Sequence, residues 1–454
     1  MCETDTRPRE LWSNRELVQL VWPLAIERLL VASLGIIDTV MVAYLGEEAV
    51  SGISLVDIIN IILIDVFTSL ATGGTVVCSQ YLGRRDGENA SRSAEQLIYT
   101  VTAISFAVSI FGVAFHGPIL RLLYGQIAPG VMESAQTYFW ISAISYPFVG
   151  IYNVGNALFR STGNSRVGMA TSFLSNILKV GGNLFFMSRL NMGVAGAAVS
   201  MVICRAASAA MVMILLYRSH DGPLRIGRLF PIRLRWDIIR GILKVGVPTG
   251  LEGGMFQMGK LFLVRLVTTF GTAAIAGNAF INIIMTLGNI PGISIALCML
   301  TVVAQCVGAG DNGAARRYAR KLVLASYGAM TVANVVIALL LRPAFSLLSI
   351  SGEAMTYAFW GSLVFCIAAI FLWTLAYCLP YALRAVGDGK YTMCVSACCM
   401  WMLRVGSAYF VAHVFGLGMP SIWIGMVLEW TARAIVYLTR WKSGKWEANR
   451  VLAD

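Results

Sequence analysis

Fourteen ionisable side chains interrupt stretches of this sequence that are otherwise apolar. Eight are basic (Arg28, Lys179, Arg205, Lys244, Lys260, Arg265, Arg404 and Arg433) and six are acidic (Glu27, Asp38, Asp57, Asp65, Glu252 and Glu429). An ionised group at the centre of a bilayer costs about 2.5–3.5 kcal/mol on insertion scales. Fourteen of them facing lipid would be prohibitive, so they must pair, face a water-filled cavity or lie near an interface. Groups held in so costly a place can carry a proton, an ion or a charged substrate.

The elements that position them are membrane-spanning helices. The chain has 454 residues, 57% hydrophobic and 13% charged, with a mean hydropathy of +0.73. A soluble protein of this length would carry about twice that charged fraction. A spanning helix needs about 20 mostly apolar residues. Twelve candidates lie near 17–44, 50–81, 94–116, 132–158, 167–187, 194–217, 238–268, 275–307, 321–341, 355–382, 391–414 and 418–439.

Net charge is +12, yet no nucleic acid is expected as a partner, because the basic residues sit in short runs between apolar stretches. Alternate connections carry 24 Lys and Arg, Arg7, Arg9, Arg228 and Arg450 among them; the others carry Arg121, Arg189 and Arg342 only. That asymmetry predicts a multi-pass protein of the cell membrane with both termini cytoplasmic. The lipid bilayer is the expected partner, a small molecule the cargo and a monomer the working unit. No cleavable signal is apparent in the polar first fifteen residues, and Cys2 is not read as a lipidation site. None of the ten cysteines forms a CxxC pair and only three histidines occur, which predicts no structural zinc site.

The sequence also repeats. A shift of 225 residues places Pro23 on Pro248, Glu27 on Glu252, Gly46 on Gly271, Gln80 on Gln305, Gly83 on Gly308 and Asp86 on Asp311. After a one-residue slip, Arg160 falls on Arg384 and Ser172 on Ser396. Six spans per repeat give both halves the same orientation, with a pseudo-twofold axis along the membrane normal, a design suited to alternating access. The expected fold is an all-α membrane protein of two six-helix lobes, 1–217 and 238–454, joined by a cytoplasmic linker, 218–237. Gly83 and Gly308 are expected to end their helices in the left-handed conformation, with Asp86 and Asp311 capping the next ones.

Several segments carry a family resemblance. Gly35-Ile-Ile-Asp38-Thr-Val-Met-Val-Ala-Tyr-Leu-Gly46 resembles the first-helix signature of the multidrug and toxic compound extrusion (MATE) family. So do Ala71-Thr-Gly-Gly-Thr-Val-Val-Cys-Ser-Gln80-Tyr-Leu-Gly83, Arg160-Ser-Thr-Gly163-Asn and Gly193-Val-Ala-Gly-Ala-Ala198. The resemblance implies a V-shaped pair of lobes that expels organic cations and other amphipathic compounds in exchange for sodium ions or protons. It makes Asp38 the centre of an amino-terminal cation site and Asn176 its fifth-helix partner, a sodium pair if sodium is the coupling ion. Here the sequence departs from the family pattern. Val180 stands where sodium-binding members tend to carry Asp, Val199-Ser200-Met201 where they tend to carry Thr, and Lys179 supplies a cation beside the gap. A lysine ammonium in the ion's position, paired with Asp38 or Asp65, favours proton coupling.

Asp65 has no acidic counterpart, since Ile290 occupies the equivalent position, which makes it a second coupling candidate. Glu27 shares a helix face with Asp38, eleven residues or about three turns away. Its recurrence as Glu252 favours an architectural role, although the family often places an acid for substrate or coupling ion in the seventh span. Lys260, Arg265 and Arg404 give the second half a basic bias, and Tyr152 and other aromatics could line the cavity. Glu429 and Arg433, four residues apart, are expected to form an intrahelical salt bridge. No nucleotide-binding or hydrolase motif is visible, so the chain is expected to be no enzyme and to need no cofactor beyond H+ or Na+. The nearer rival is a flippase for a lipid-linked or anionic substrate, which requires the basic residues to converge on one cavity.

Overall fold

The computed structural model describes residues 11–125, 127–219, 222–225, 233–346, 352–449 and 451–452. Cys2, Arg7, Arg9, Arg228 and Arg450 lie outside the described residues, as does part of the linker. The first half holds α1 (Asn14–Ala43), α2 (Glu47–Gly83), α3 (Gly87–Ala114), a short α4 (His116–Tyr124), α5 (Pro129–Ile144), α6 (Tyr146–Ser161), α7 (Arg166–Asn183) and α8 (Gly193–Arg218). The second holds α9 (Trp236–Thr268), α10 (Thr272–Gly288), α11 (Ile290–Gly308), α12 (Asn312–Ser346), α13 (Gly352–Ala368), α14 (Leu379–Ala385), α15 (Gly389–Cys398), α16 (Ser407–Phe415) and α17 (Pro420–Lys442). No strand occurs among the described residues.

Among those residues, nine helical spans are long and apolar enough to cross a membrane. Three further spans complete the twelve. α5 and α6 form one, broken at Ser145 just before Pro147. α7 continues into a π-helical stretch, Leu184–Arg189. α9 is long enough, but Lys244, Glu252, Lys260 and Arg265 dilute its apolarity. The outer surface is lipid-like: Phe106, Phe371, Leu339 and Met402 are all more than half exposed.

Local sequence explains where helices begin. Ser13 caps α1 by accepting from the Glu16 amide while the Glu16 carboxylate accepts from the Ser13 amide at 2.7 Å, a reciprocal box that satisfies two donors the helix cannot. Asp86 accepts from the Asn89 amide and Asp311 from the Ala314 amide, so both expected caps form. The donors from Asn89 hold the Asp86 carboxyl below its ordinary pKa.

The two halves differ where one proline differs. Pro291 divides α10 from α11. Val66 occupies the equivalent position in α2, which therefore runs unbroken for 37 residues.

The lobes join at the end of the molecule that carries the basic connections. α2 packs along α9 and α11, and α1 against α11. A Cβ on Gly83 would lie 2.0 Å from the carbonyl oxygen of Gln305, and one on Gly308 would lie 2.0 Å from that of Gln80. These two glycines are thus required by backbone contact across the pseudo-twofold axis. The expectation that they are left-handed is corrected: positive φ falls two residues later, at Arg85 (60°) and Gly310 (78°). The Gln80 side chain donates to the Ala385 carbonyl at 2.8 Å, and Gln305 donates to the Ser161 carbonyl at 2.8 Å. Each bond crosses from one lobe to the other and is the repeat image of its partner.

Trp12 reinforces this seal. Its indole donates to Gln305 and its backbone brackets the Tyr318 hydroxyl. Higher along α2, Gly73 crosses the backbone of α9 at Ile242 and Gly246. Gln257 of α9 then donates to Asp65 at 2.9 Å. Asp65 lies 18 residues from Gly83, or about 27 Å along the helix, so the lobes touch at points spread over that length.

The crossing sets a test. Gly83→Ala and Gly308→Ala should each destabilise the folded protein by about 1–3 kcal/mol through overpacking, seen as a lower unfolding midpoint in detergent. Gly35→Ala, with nothing within 4 Å of the added atom, should not lower it.

Candidate functional site

In the first lobe α1, α2, α7 and α8 enclose a polar cluster. Asp38 on α1 meets Lys179 on α7, with Nζ 3.3 Å from Oδ1. Its side chain keeps 23% of its exposure, whereas that of Lys179 keeps 5%. Asn183, one turn beyond Lys179, donates to the same Asp38 oxygen at 2.8 Å. Lys179 also donates to the Ala197 carbonyl at 3.1 Å, and Ser200 donates to the Lys179 carbonyl at 3.0 Å. The small residues of Gly193–Ala198 let α8 come close enough for these bonds. The ammonium is therefore fixed from both sides, with Asp38 its sole carboxylate partner among the described residues.

Asp57 on α2 is the second acid of this cluster. Asn60 donates to it at 3.3 Å and the Tyr138 hydroxyl at 3.4 Å, while Tyr146 donates to Asn60 at 2.9 Å. Asp57 interacts electrostatically with Asp38, Lys179 and Arg205. Arg205 is held by Ser145, at the break between α5 and α6, at 2.7 Å. Two acids and two bases thus balance within one lobe. Asp57, Asn183 and Arg205 are contributors that sequence reasoning did not single out as site residues. One signal was available: Asn183 stands where the other half has Ser407, and Asp57 where it has Asn282.

The other expected residues divide. Asp65 pairs with Gln257 in the opposite lobe and not with Lys179. The Asn176 amide donates to the Leu30 carbonyl at 2.8 Å, tying α7 to α1. Asn176 also lines a small cavity of about 170 Å³ with Tyr152 and Arg205, and Tyr152 shares a hydrogen bond with Ser172 at 3.0 Å. Glu27 is buried between α1 and α7 against Gly168, and its Oε2 has no hydrogen-bond partner. Its repeat mate Glu252 is buried in a fuller network, accepting from Arg384 at 2.8 Å and from Ser396. Both acids are buried inside their lobes, and Glu252 ties α9 to α14 and α15 through Arg384 and Ser396.

The second lobe holds a different cluster. Glu429 on α17 lies between Arg404, at 2.8 Å, and Arg433, at 2.7 Å, and accepts from Tyr377 at 3.1 Å. The expected Glu429–Arg433 pair forms, and Arg404 joins it. Arg404 and Tyr377 both project from π-helical stretches, Cys399–Gly406 and Ala369–Cys378, a widening of the helix common at functional sites. Phe256 on α9 faces Lys260, Arg404 and Arg433 at 5.1, 5.9 and 5.6 Å. Lys260 and Arg404 line one chamber. Lys179 sits in the other lobe and Arg265 is exposed, so the four cations do not converge. Among the described residues no group of three His, Cys, Asp or Glu could hold a metal ion.

Comparison with known proteins places this geometry. The sequence profile of the family described as MatE matches twice, over residues 23–185 and 248–410, two copies offset by the same 225 residues as the internal repeat. The "Probable multidrug resistance protein NorM" of Thermotoga maritima is 24% identical, with 97% of this chain and 94% of that protein covered. Its namesake from Halalkalibacterium halodurans is 26% identical, with 96% of each covered. Among solved structures, one described as "MATE in the bent conformation" superposes with a TM-score of 0.87 at 20% identity, covering 96% of this chain and 95% of that one. Another, described as the "Outward-facing conformation of a multidrug resistance MATE family transporter of the MOP superfamily", also scores 0.87 at 19% identity, covering 95% and 96%.

Removing Glu429 tests the second cluster. Glu429→Gln should cost about 3–5 kcal/mol, because two buried guanidinium groups lose their counter-charge. The unfolding midpoint in detergent reports it. Asp237→Asn, at the exposed pair with Arg235, should leave that midpoint within measurement scatter.

Proposed function

The chain belongs to the MatE (multidrug and toxic compound extrusion) family of membrane transporters, and on that premise we propose that it is a proton-driven antiporter of the cell membrane. It exports amphipathic or cationic small molecules by alternating access. The observation that carries this reading is the Asp38–Lys179 pair, an ammonium 3.3 Å from the carboxylate that a coupling cation would use. A sodium ion there would have to displace a fixed charge of its own sign. A proton does not compete for the space: it adds to Asp38 and cancels the attraction.

The basic connections set the sealed end of the molecule in the cytoplasm, with both termini on that side. The cleft then opens outward, and the exposed part of Asp38 is within reach of external protons. Proton uptake turns the balanced cluster of Asp38, Asp57, Lys179 and Arg205 into one with a net positive charge. A cationic cargo in the cleft is then repelled, and Lys179 is released from its carboxylate. Return of the lobes to the inward-open arrangement delivers the proton to the cytoplasm, and Asp38 and Lys179 pair again. One proton enters as one charge-bearing molecule leaves. The names of the NorM relatives support multidrug efflux as the physiological class.

A flippase for a lipid-linked anion is the second reading, and the basic second-lobe chamber is the observation in its favour. The separation of Lys179 from Lys260 and Arg404 weighs against it, because an anionic lipid headgroup would need them in one cavity.

Uptake of a fluorescent organic cation into everted membrane vesicles tests the proposal. Acidifying the lumen should drive uptake at constant sodium. Asp38→Asn should abolish the response, and Lys179→Ala should reduce it at least about tenfold, a loss of about 1.4 kcal/mol of coupling. Uptake driven by a sodium gradient at constant pH, with no response to a proton gradient, would overturn it.

A further inference from the structure

The two lobes carry opposite polarity at equivalent places. Asp38 and Asp57 of the first lobe become Leu263 and Asn282 in the second. Gly35 and Val180 become Lys260 and Arg404. In the second lobe these residues surround a chamber of about 510 Å³ between α9, α10, α13 and α17, and no carboxylate lines it.

The donors of this chamber are unmatched. Arg404 gives one amino group to Glu429, but its buried Nε has no hydrogen-bond partner. Trp423, which also lines the chamber, leaves its buried indole N–H without a partner among the described residues. Lys260 forms no ion pair among the described residues, and its ammonium rests 5.1 Å from the centre of the Phe256 ring. Around that ring stand three cations: Arg404 and Arg433 pair with Glu429, while Lys260 forms no such pair and feels Asp65 and Glu429 only through space. Within a membrane an ammonium without a paired carboxylate favours an anion beside it. Two cations and an indole N–H around one space offer several donors, which suits a carboxylate with two oxygens and about four lone-pair sites. The remaining walls, including Ile281, Met285, Ile422 and Met426, are apolar, and the volume lies in the range of small-molecule sites.

We propose that this chamber binds the carboxylate of a zwitterionic amphipathic substrate, clamped by Lys260, Arg404 and the Trp423 indole, while the cationic end of the same molecule faces the acids nearer the first lobe. This deepens the transport reading above and rests on it: the cargo is a molecule bearing both charges, and each lobe reads one of them.

The test compares a zwitterionic rhodamine carrying a free benzoate with its methyl ester, which is cationic only. Binding to the full chain in phosphatidylcholine nanodiscs is read by fluorescence polarisation at neutral pH. Wild type should bind the free acid about tenfold more tightly than the ester. Lys260→Gln, which breaks no ion pair, should erase the preference. Trp423→Phe keeps a ring in the wall but removes the N–H, and should reduce the preference, so the inference does not hang on one variant. Asp237→Asn, in the exposed pair with Arg235, should leave it unchanged. Equal affinity for the two dyes in wild type, or a preference that survives both second-lobe variants, would overturn the inference. So would loss of the preference when phosphatidylglycerol is added, since the occupant would then be a lipid headgroup. Everted vesicles separate the two failures. Proton-driven uptake of both dyes without discrimination sinks only the carboxylate site, whereas absence of binding and of proton-driven uptake for either dye sinks the transport reading with it.

Discussion

Everything in this molecule hangs from the place where α2 and α11 cross. Two glycines, Gly83 and Gly308, let each backbone approach the other to a distance no side chain would permit, and two glutamines fasten the crossing with reciprocal bonds between the lobes. Because every one of these groups has an image under the internal repeat, the crossing lies on the pseudo-twofold axis. It fixes which end of the molecule is shut and leaves the lobes free to diverge from Asp65 onward. The polar cluster around Asp57 and the basic chamber around Lys260 lie farther along α2 and α9 than the Asp65–Gln257 bond.

Much of this was legible in the sequence, for definite reasons. Hydropathy gives the spans because a helix in lipid must satisfy its own backbone. The repeat gives the lobes because equivalent residues such as Pro23 and Pro248 survive in register. The Asp38–Lys179 encounter could be anticipated because a buried ammonium requires a carboxylate, and family resemblance put both near one site. The sequence could not choose between Asp38 and Asp65 as its partner. That depends on which way α2 is rotated, and Asp65 turns toward Gln257 in the other lobe. Asn183 escaped notice because an amide carries no charge to mark it. Gly83 and Gly308 read as turn glycines in the sequence, when their reason is a neighbour more than two hundred residues away in the other lobe, which no local pattern reports. Arg404 could be counted as a charge in a span, but its meeting with Glu429 depends on the π-helical widening at Cys399–Gly406 that aims it.

Three of the buried charge clusters share one arrangement. Each acid meets its opposite: Asp38 with Lys179, Glu252 with Arg384, Glu429 with two arginines. Such pairs add little net stability over apolar packing, but removing one partner is costly. That asymmetry makes them suitable as switches. A pair whose carboxylate water can reach can be changed by a single proton, whereas Glu252 and Arg384 are closed off inside their lobe.

One further consequence belongs to α1. Trp12, two residues before it, is bonded to Gln305 and Tyr318 of the second lobe, while Leu20, Leu30 and Asp38 along its length are bonded to Ser165, just before α7, and to Asn176 and Asn183 of α7 in the first. It is the helix whose root is anchored in one body and whose shaft is anchored in the other, which makes it a lever. Any relative rotation of the two bodies loads this lever between Trp12 and Leu20, just before Pro23, where the backbone lacks an amide hydrogen and resists bending least. Asp38 rides on the long arm.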